Sequence, residues 1–291
     1  MVNPRALRGW TALFSPVDEA RALEANMMNR LTPTPYPDVN EVLDLLLTKV
    51  KEILRNEFVG MYLYGSLSSG DFNPKTSDVD FVVTTAGSLA ENKIAQLKSM
   101  HEDLWSSRLE RAERLEGAYV PKELIRQHVA SGSPCPTINE GRFYVARLGS
   151  DWIIQRHVVR EYGVVLEGPG PKTLIDFVSA DEIREAVRGI LNEWWFPMLD
   201  DPSWLRRHES NYHGYAVISM CRALHALQHG IIVSKPAAVK WAKENLDTHW
   251  HGLIEQAVAS QYGRHAEFFQ ETLEFIDFTR EQLLRKGTKK S

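Results

Sequence analysis

Tyr62-Leu-Tyr-Gly65-Ser66-Leu-Ser-Ser-Gly70-Asp-Phe-Asn-Pro-Lys-Thr-Ser77-Asp78-Val79-Asp80-Phe-Val-Val83 joins two apolar runs through a Gly/Ser-rich turn and carries two aspartates two residues apart. The short apolar run Phe58 to Tyr64 suits a buried strand. It delivers the chain to Gly65-Ser66, where glycine lets the backbone approach a ligand and serine adds a hydroxyl. A helix opening there would turn its free N–H groups toward an anion. After the Gly/Ser/Asn/Pro-rich residues 65–77, a second strand runs from Val79 to Thr84 and brings Asp78 and Asp80 with it. Residues i and i+2 of a strand share a face, so both carboxylates aim at one spot. Two carboxylates in a partly buried site repel unless a cation lies between them, and hard oxygen ligands beside a phosphate-holding turn suit Mg2+. A lone Asp-x-Asp is usually a solvated strand edge. The joint pattern of apolar strand, Gly-Ser, spacer, Asp-x-Asp and second apolar strand is far more specific.

Upstream, Asp38 to Glu41 opens an amphipathic helix whose apolar positions Val42, Leu43, Leu45, Leu46, Leu47, Val50, Ile53 and Leu54 recur at helical spacing. Residues 1–38 read as a partly helical arm that ends in an extended, proline-rich lead-in. Downstream come a charged helix over 91–111 and a third strand over 115–121. A loop over 131–141 and a strand over 143–147 follow, then a helix over 152–162 and a strand over 163–167. Gly168-Pro-Gly-Pro-Lys172 marks a linker. Beyond it only helical periodicity remains, over 181–195, 210–229, 235–245, 250–262 and 264–286, before a frayed basic end. The expected fold class is an α/β (α+β) front half with a mixed sheet, followed by an all-α helical bundle. The expected boundaries are 1–38 for the arm, 39–175 for the front domain and 176–291 for the helical domain.

Composition narrows the function classes. With 291 residues, 43% hydrophobic and 25% charged, the chain is long enough for a full core and is not disordered, collagen-like or coiled-coil in type. Its net charge of −4 argues against a dedicated nucleic-acid partner. Cys135 and Cys221 read as reduced thiols, too few for a cysteine zinc site. The start Met1-Val-Asn-Pro-Arg-Ala lacks a secretory h-region, and no apolar run reaches the roughly 18 residues of a membrane span, so a soluble, cytoplasmic protein without a membrane partner is expected.

The Gly65-Ser66 to Asp78-x-Asp80 pattern is similar to the signature of the DNA polymerase β-like nucleotidyltransferase superfamily. Between about 36 and 265 the chain further resembles the streptomycin/spectinomycin adenylyltransferases. The pieces that carry this are Leu115-Glu-Gly-Ala-Tyr-Val120, Val165-Leu-Glu-Gly-Pro169, Ser234-Lys-Pro-Ala-Ala-Val-Lys-Trp-Ala242 and Ser260-Gln-Tyr262. That family joins an α/β nucleotidyltransferase domain to a helical domain. The resemblance implies ATP as co-substrate, two Mg2+ ions on Asp78 and Asp80, and a monomer that nucleotidylates a small-molecule hydroxyl, here an aminoglycoside. Residues 110–116 offer Glu110, Glu113 and Glu116, and only Glu116 begins the apolar run of the third strand. By resemblance Glu116 is the base that takes the proton of the acceptor hydroxyl, a role worth roughly 10²–10⁴-fold in rate. The resemblance also implies that Gly65, Ser66 and Ser77 hold the nucleotide. Lys235 would reach the triphosphate from the helical domain, and Asp151, Arg222 and Tyr262 would add nucleotide contacts.

The acceptor wall is expected within Asn192 to Trp204, where Trp194, Asp200, Asp201 and Trp204 are candidates. That stretch cannot be laid over the family's spacing without gaps. The simplest reading of Trp194, Trp195 and Trp204 is packing. Nucleotidylation of a different small molecule or of a protein hydroxyl, or a nucleotide-binding antitoxin-type module, are the alternatives. Two motifs are set aside. Gly168-Pro-Gly-Pro-Lys-Thr lacks the N–H donors of a P-loop, and His225 with His229 lacks a third metal ligand.

Overall fold

The computed structural model describes residues 32–127, 134–208, 210–263 and 267–287. Most of the expected arm, residues 1–31, lies outside them. The lead-in is tied down locally: Asn40 donates to the Thr34 carbonyl (2.8 Å) and accepts from the Thr34 amide (3.1 Å). Helix α1 (Pro37–Leu54) starts on a proline whose fixed φ suits a first turn, and it buries Val39, Val42, Leu43, Leu46, Val50 and Leu54.

Six strands follow: β1 (Phe58–Leu63), β2 (Val79–Thr85), β3 (Leu115–Pro121), β4 (Cys135–Asn139), β5 (Arg142–Ala146) and β6 (Val164–Glu167). They form one sheet in the order β5-β4-β3-β2-β1-β6. It is mixed, as expected: β2 and β3 are parallel, joined across helix α3 (Glu91–Ser106), and the other neighbours are antiparallel. A short helix α2 (Gly65–Ser69) interrupts the way from β1 to β2, and α4 (Lys122–Arg126) follows β3.

Strand alternation splits the sheet into two faces. Val79, Phe81, Val83, Leu115 and Tyr119 face α1 and α3, closing a core with Met61, Leu63 and Leu97. The intervening Tyr62, Val82, Ala118 and Val120 pack with Trp152 and Val159 of helix α5 (Asp151–Tyr162) and with Ile175. Two other residues of α5, Ile153 and Ile154, pack on the helical core instead, so α5 serves both cores.

That helical core is built by α7 (Ala180–Ile190), α10 (Ser210–His229), α11 (Lys235–Asn245), α12 (His251–Ser260) and α13 (Phe269–Gly287), with the small helices α6 (Pro171–Leu174), α8 (Pro197–Asp200) and α9 (Ser203–Arg206) between elements. Ser179 and Glu182 cap α7 reciprocally, satisfying N–H groups that its first turn leaves open. Among the described residues no helix is long and apolar enough to cross a membrane.

Two expectations need correction. The loop expected over 131–141 contains strand β4 from Cys135, with Cys135 and Ile138 buried. Pro136 misled the reading, but β4 pairs with β3 only at Thr137 and Ile138, so the missing proline N–H costs that ladder nothing. The helix expected over 181–195 is α-helical only to Ile190 and continues as a π-helical turn over Leu191–Trp195. The Gly168–Lys172 linker is fastened to the sheet, since the Tyr62 hydroxyl donates to the Pro169 carbonyl (2.7 Å) and Pro171 opens α6.

Candidate active site

The parallel register of β2 and β3 sets Asp80 opposite Glu116 on the face shared with α5. Asp78 lies just before β2. Gly65, which opens α2 just after β1, closes the site from the other side. Its φ of 63° is left-handed, and a Cβ there would collide with the Asp80 carboxylate, so glycine alone fits. The Tyr64 amide donates to the Asp80 carbonyl (3.1 Å), which fixes the turn that carries Gly65 and Ser66 into α2. Ser77 accepts from the Asn73 amide through its hydroxyl (2.9 Å) and donates to the Asn73 carbonyl through its own amide (2.9 Å). It braces the loop before Asp78.

The electrostatics are strained. Burial, then the charges of Glu116 and Asp78, push Asp80 up to about 7 against the pull of Lys235 and Arg222. Burial and Asp78 push Glu116 up to about 7, while the Glu140 amide, donating to Oε1 at 3.4 Å, opposes. Asp78 is raised by burial, with Arg114 and Lys235 opposing. Burial and Arg222 lower Lys235, and all three acids draw it back toward the charged form. Burial lowers Arg222, whose Nε donates to the Val233 carbonyl (3.2 Å). Two cations from the helical half thus face three carboxylates from the sheet.

Asp151, at the first turn of α5, acts on the buried Tyr64 and on Tyr144, so it too borders this cluster. Tyr262 stands in the turn after α12 with its side chain 65% exposed. Asp201 accepts from the Ser203 amide two residues on (3.1 Å), a local turn contact, and Asp200 ends α8. The tryptophans divide: Trp195 is buried in the helical core, whereas Trp194 is 44% exposed and meets Trp204 edge-on at 5.1 Å. Trp204 packs on Tyr212 (4.7 Å), and Tyr212 on Tyr215 (5.5 Å). The Tyr215 ring lies 5.5 Å from the Lys235 ammonium. This aromatic row leads from the expected acceptor stretch to the acid cluster.

Sequence reading missed the β4–β5 hairpin, which places Asn139, Glu140 and Tyr144 around Glu116. Its signal was present: Glu140-Gly141 is a two-residue turn, with φ of 49° and 66°, between two alternating segments.

The mixed sheet brings three acids together, and residues 46–131 match the nucleotidyltransferase domain family. Residues 173–285 match the C-terminal domain of aminoglycoside adenylyltransferases, so the enzyme is a nucleotidyltransferase that resembles the aminoglycoside adenylyltransferases. No curated protein matches the chain by sequence. Among solved structures the fold is similar to spectinomycin adenyltransferase AAD(9) from Enterococcus faecialis, solved with ATP and spectinomycin. The TM-score is 0.67 at 17% identity, covering 84% of this chain and 98% of that one, a likeness of fold alone. A toxin–antitoxin structure with AMP-PNP covers 55% of this chain and 94% of its own at 16% identity, and its TM-score of 0.25 carries no argument.

Proposed function

We propose that the enzyme transfers AMP from ATP to a hydroxyl of a small molecule, an aminoglycoside of the streptomycin or spectinomycin type, and releases pyrophosphate. The observation that carries this reading is the register of Asp80 with Glu116, with Lys235 and Arg222 turned toward them from the helical half. We place the nucleotidyltransferase domain at 39–175 and the helical domain at 176–291, the site at their junction, and the monomeric enzyme in the cytoplasm.

The donor set fits a divalent cation: two carboxylates two residues apart, both raised by burial, with the Asp78 charge raising Asp80 further, a cost that positive charge would relieve. Mg2+ takes few carboxylates and fills its remaining positions with phosphate oxygens and water, so two carboxylates suffice for the protein's share. Asp78 and Asp80 would hold it, two ions in full, and when bound it supplies charge neutralisation on the phosphates.

The chain's own groups do the rest. Gly65 and Ser66 lie against the β and γ phosphates, with Ser77 bracing the loop behind them. Asp151 and Tyr262 border the nucleoside. Lys235 and Arg222 offset the charge that grows on the leaving pyrophosphate. Glu116 accepts the acceptor's proton as that oxygen bonds to the α-phosphorus, and the bond to pyrophosphate breaks in line. The row Trp194, Trp204, Tyr212 and Tyr215 offers a ring-sized apolar wall for the acceptor.

Thermal-shift screening of aminoglycosides with ATP and Mg2+, followed by mass analysis, tests the reading. A product heavier by one AMP supports it. Transfer to a protein hydroxyl, or ATP binding with no acceptor in a broad panel, would replace it.

A further inference from the structure

The end of the β4–β5 hairpin holds the Glu116 carboxylate. Gly117 pairs with Ile138, so sheet register alone brings the next residue of β4, Asn139, beside Glu116. With its amide nitrogen turned to the carboxylate, Asn139 donates to both oxygens, at 3.1 Å to Oε1 and 3.2 Å to Oε2. The Glu140 amide adds a longer bond at 3.4 Å to Oε1. Asn139 also pairs with Arg142 across the turn, so the turn that reverses the chain fixes where the amide sits.

A glutamate side chain has three rotatable bonds, and a general base works only when a lone pair faces the acceptor proton within about 2.6–3.2 Å. Side-chain bonds from a rigid strand remove that freedom before the acceptor arrives. Donation to the carboxylate also favours its charged form, against the burial that disfavours it.

We propose that Asn139 is a positioning residue that orients Glu116 for proton removal from the acceptor hydroxyl. This rests on the reading of Glu116 as the base. Hydrogen bonding by a neutral amide is what the role requires. An aspartate at 139 would lose the donor and set a further negative charge against Glu116.

The experiment combines kinetics with spectinomycin and ATP and a crystal structure of the Asn139→Ala variant. For Asn139→Ala we expect kcat lower by 10–100-fold, KM for ATP and spectinomycin within about twofold of wild type, and an unchanged melting temperature. Asn139→Gln, which keeps a donor, should recover part of the rate, and Asn139→Asp should fall below Asn139→Ala. In the crystal, Glu116 should leave its orientation while the Glu140-Gly141 turn stays. A wild-type kcat in Asn139→Ala, a loss shared equally by KM and melting temperature, or a Glu116 carboxylate that stays in place would overturn the proposal. Full activity in Glu116→Gln would instead sink the reading of the base, and Asn139 with it. If wild-type enzyme does not turn over spectinomycin, that acceptor is wrong, and the crystallographic result decides Asn139 alone.

Discussion

The two faces of the central sheet are made by the same strands and do opposite work. On one face Val79, Phe81, Val83, Leu115 and Tyr119 are each wholly buried against α1 and α3. On the other, one residue away in each strand, Asp80 and Glu116 are held as neighbouring carboxylates that burial and repulsion drive up to about 7. The alternation of a strand is enough to keep a dry core and a strained polar site within one pair of strands. The apolar face stabilises the sheet, and the strain on the polar face costs stability that only function explains.

Exchanging residues across this divide should give effects of opposite sign. Phe81→Ala removes a buried ring and should cost about 3–5 kcal/mol, lowering transfer only in proportion to the folded protein lost. Asp80→Asn keeps the shape and should abolish transfer, yet raise stability by about 2 kcal/mol at pH 8 without divalent cations. The sign follows from linkage: the folded value near 7 lies above the unfolded 3.8, so the ionised native state is penalised above pH 7 and relieved below. Denaturant unfolding beside an AMP-transfer assay separates the two. A destabilised Asp80→Asn protein would break the comparison.

Gly65→Ala tests how tightly the polar face is built. A methyl group meets the Asp80 carboxylate and the backbone is left-handed, so we expect transfer to fall at least 100-fold and stability to fall by about 1–2 kcal/mol. Near-normal turnover would mean that the turn gives way and does not shape the site.

Lys235→Ala sharpens the comparison from the helical half. On the proposed reading one cation serves both the bound triphosphate and the leaving group, so the variant should weaken ATP binding about tenfold and slow transfer together. Calorimetry and initial rates measure the two losses. An ATP affinity unchanged in the variant would detach Lys235 from the nucleotide.

The smallest effect is in pH. His101 is fully buried on the apolar face, bonded to the Tyr119 hydroxyl at 2.9 Å, and burial pulls it down to about 3. Its folded value lies below the unfolded 6.5, so its contribution is present above pH 6.5 and declines as pH falls, by up to about 1.4 kcal/mol per unit. The carboxylates of the other face change in the opposite sense, gaining as pH falls through 7. His101→Phe should therefore be less stable at pH 8 but gain more stability than wild type on going from pH 6.5 to 4.5. An unchanged slope in that window would remove His101 from the balance.

Much of this was legible in the sequence because it is local. Gly65-Ser66, Asp78 and Asp80 lie within one strand–turn–strand unit, and helices over 210–229 and 235–245 show in their periodicity and caps. The acid on the third strand was legible because Glu116 opens an apolar run. What the sequence hid depends on long-range pairing. Pro136 and the Gly/Ser residues before it read as loop, so the partners of Glu116 at Asn139 and Glu140 stayed invisible until β4 found β3. The π-helical turn at Leu191–Trp195 breaks a period that local residues continue, and it leaves Trp194 exposed while Trp195 is buried.

The most direct test of the account is a single-turnover experiment on Glu116→Gln with saturating ATP, Mg2+ and spectinomycin, read by mass for the AMP-bearing product and paired with the melting temperature of the same sample. The account predicts intact ATP binding, a melting temperature at or above wild type, and transfer slowed by at least 100-fold. Transfer at the wild-type rate in that folded, ATP-bound variant would contradict it.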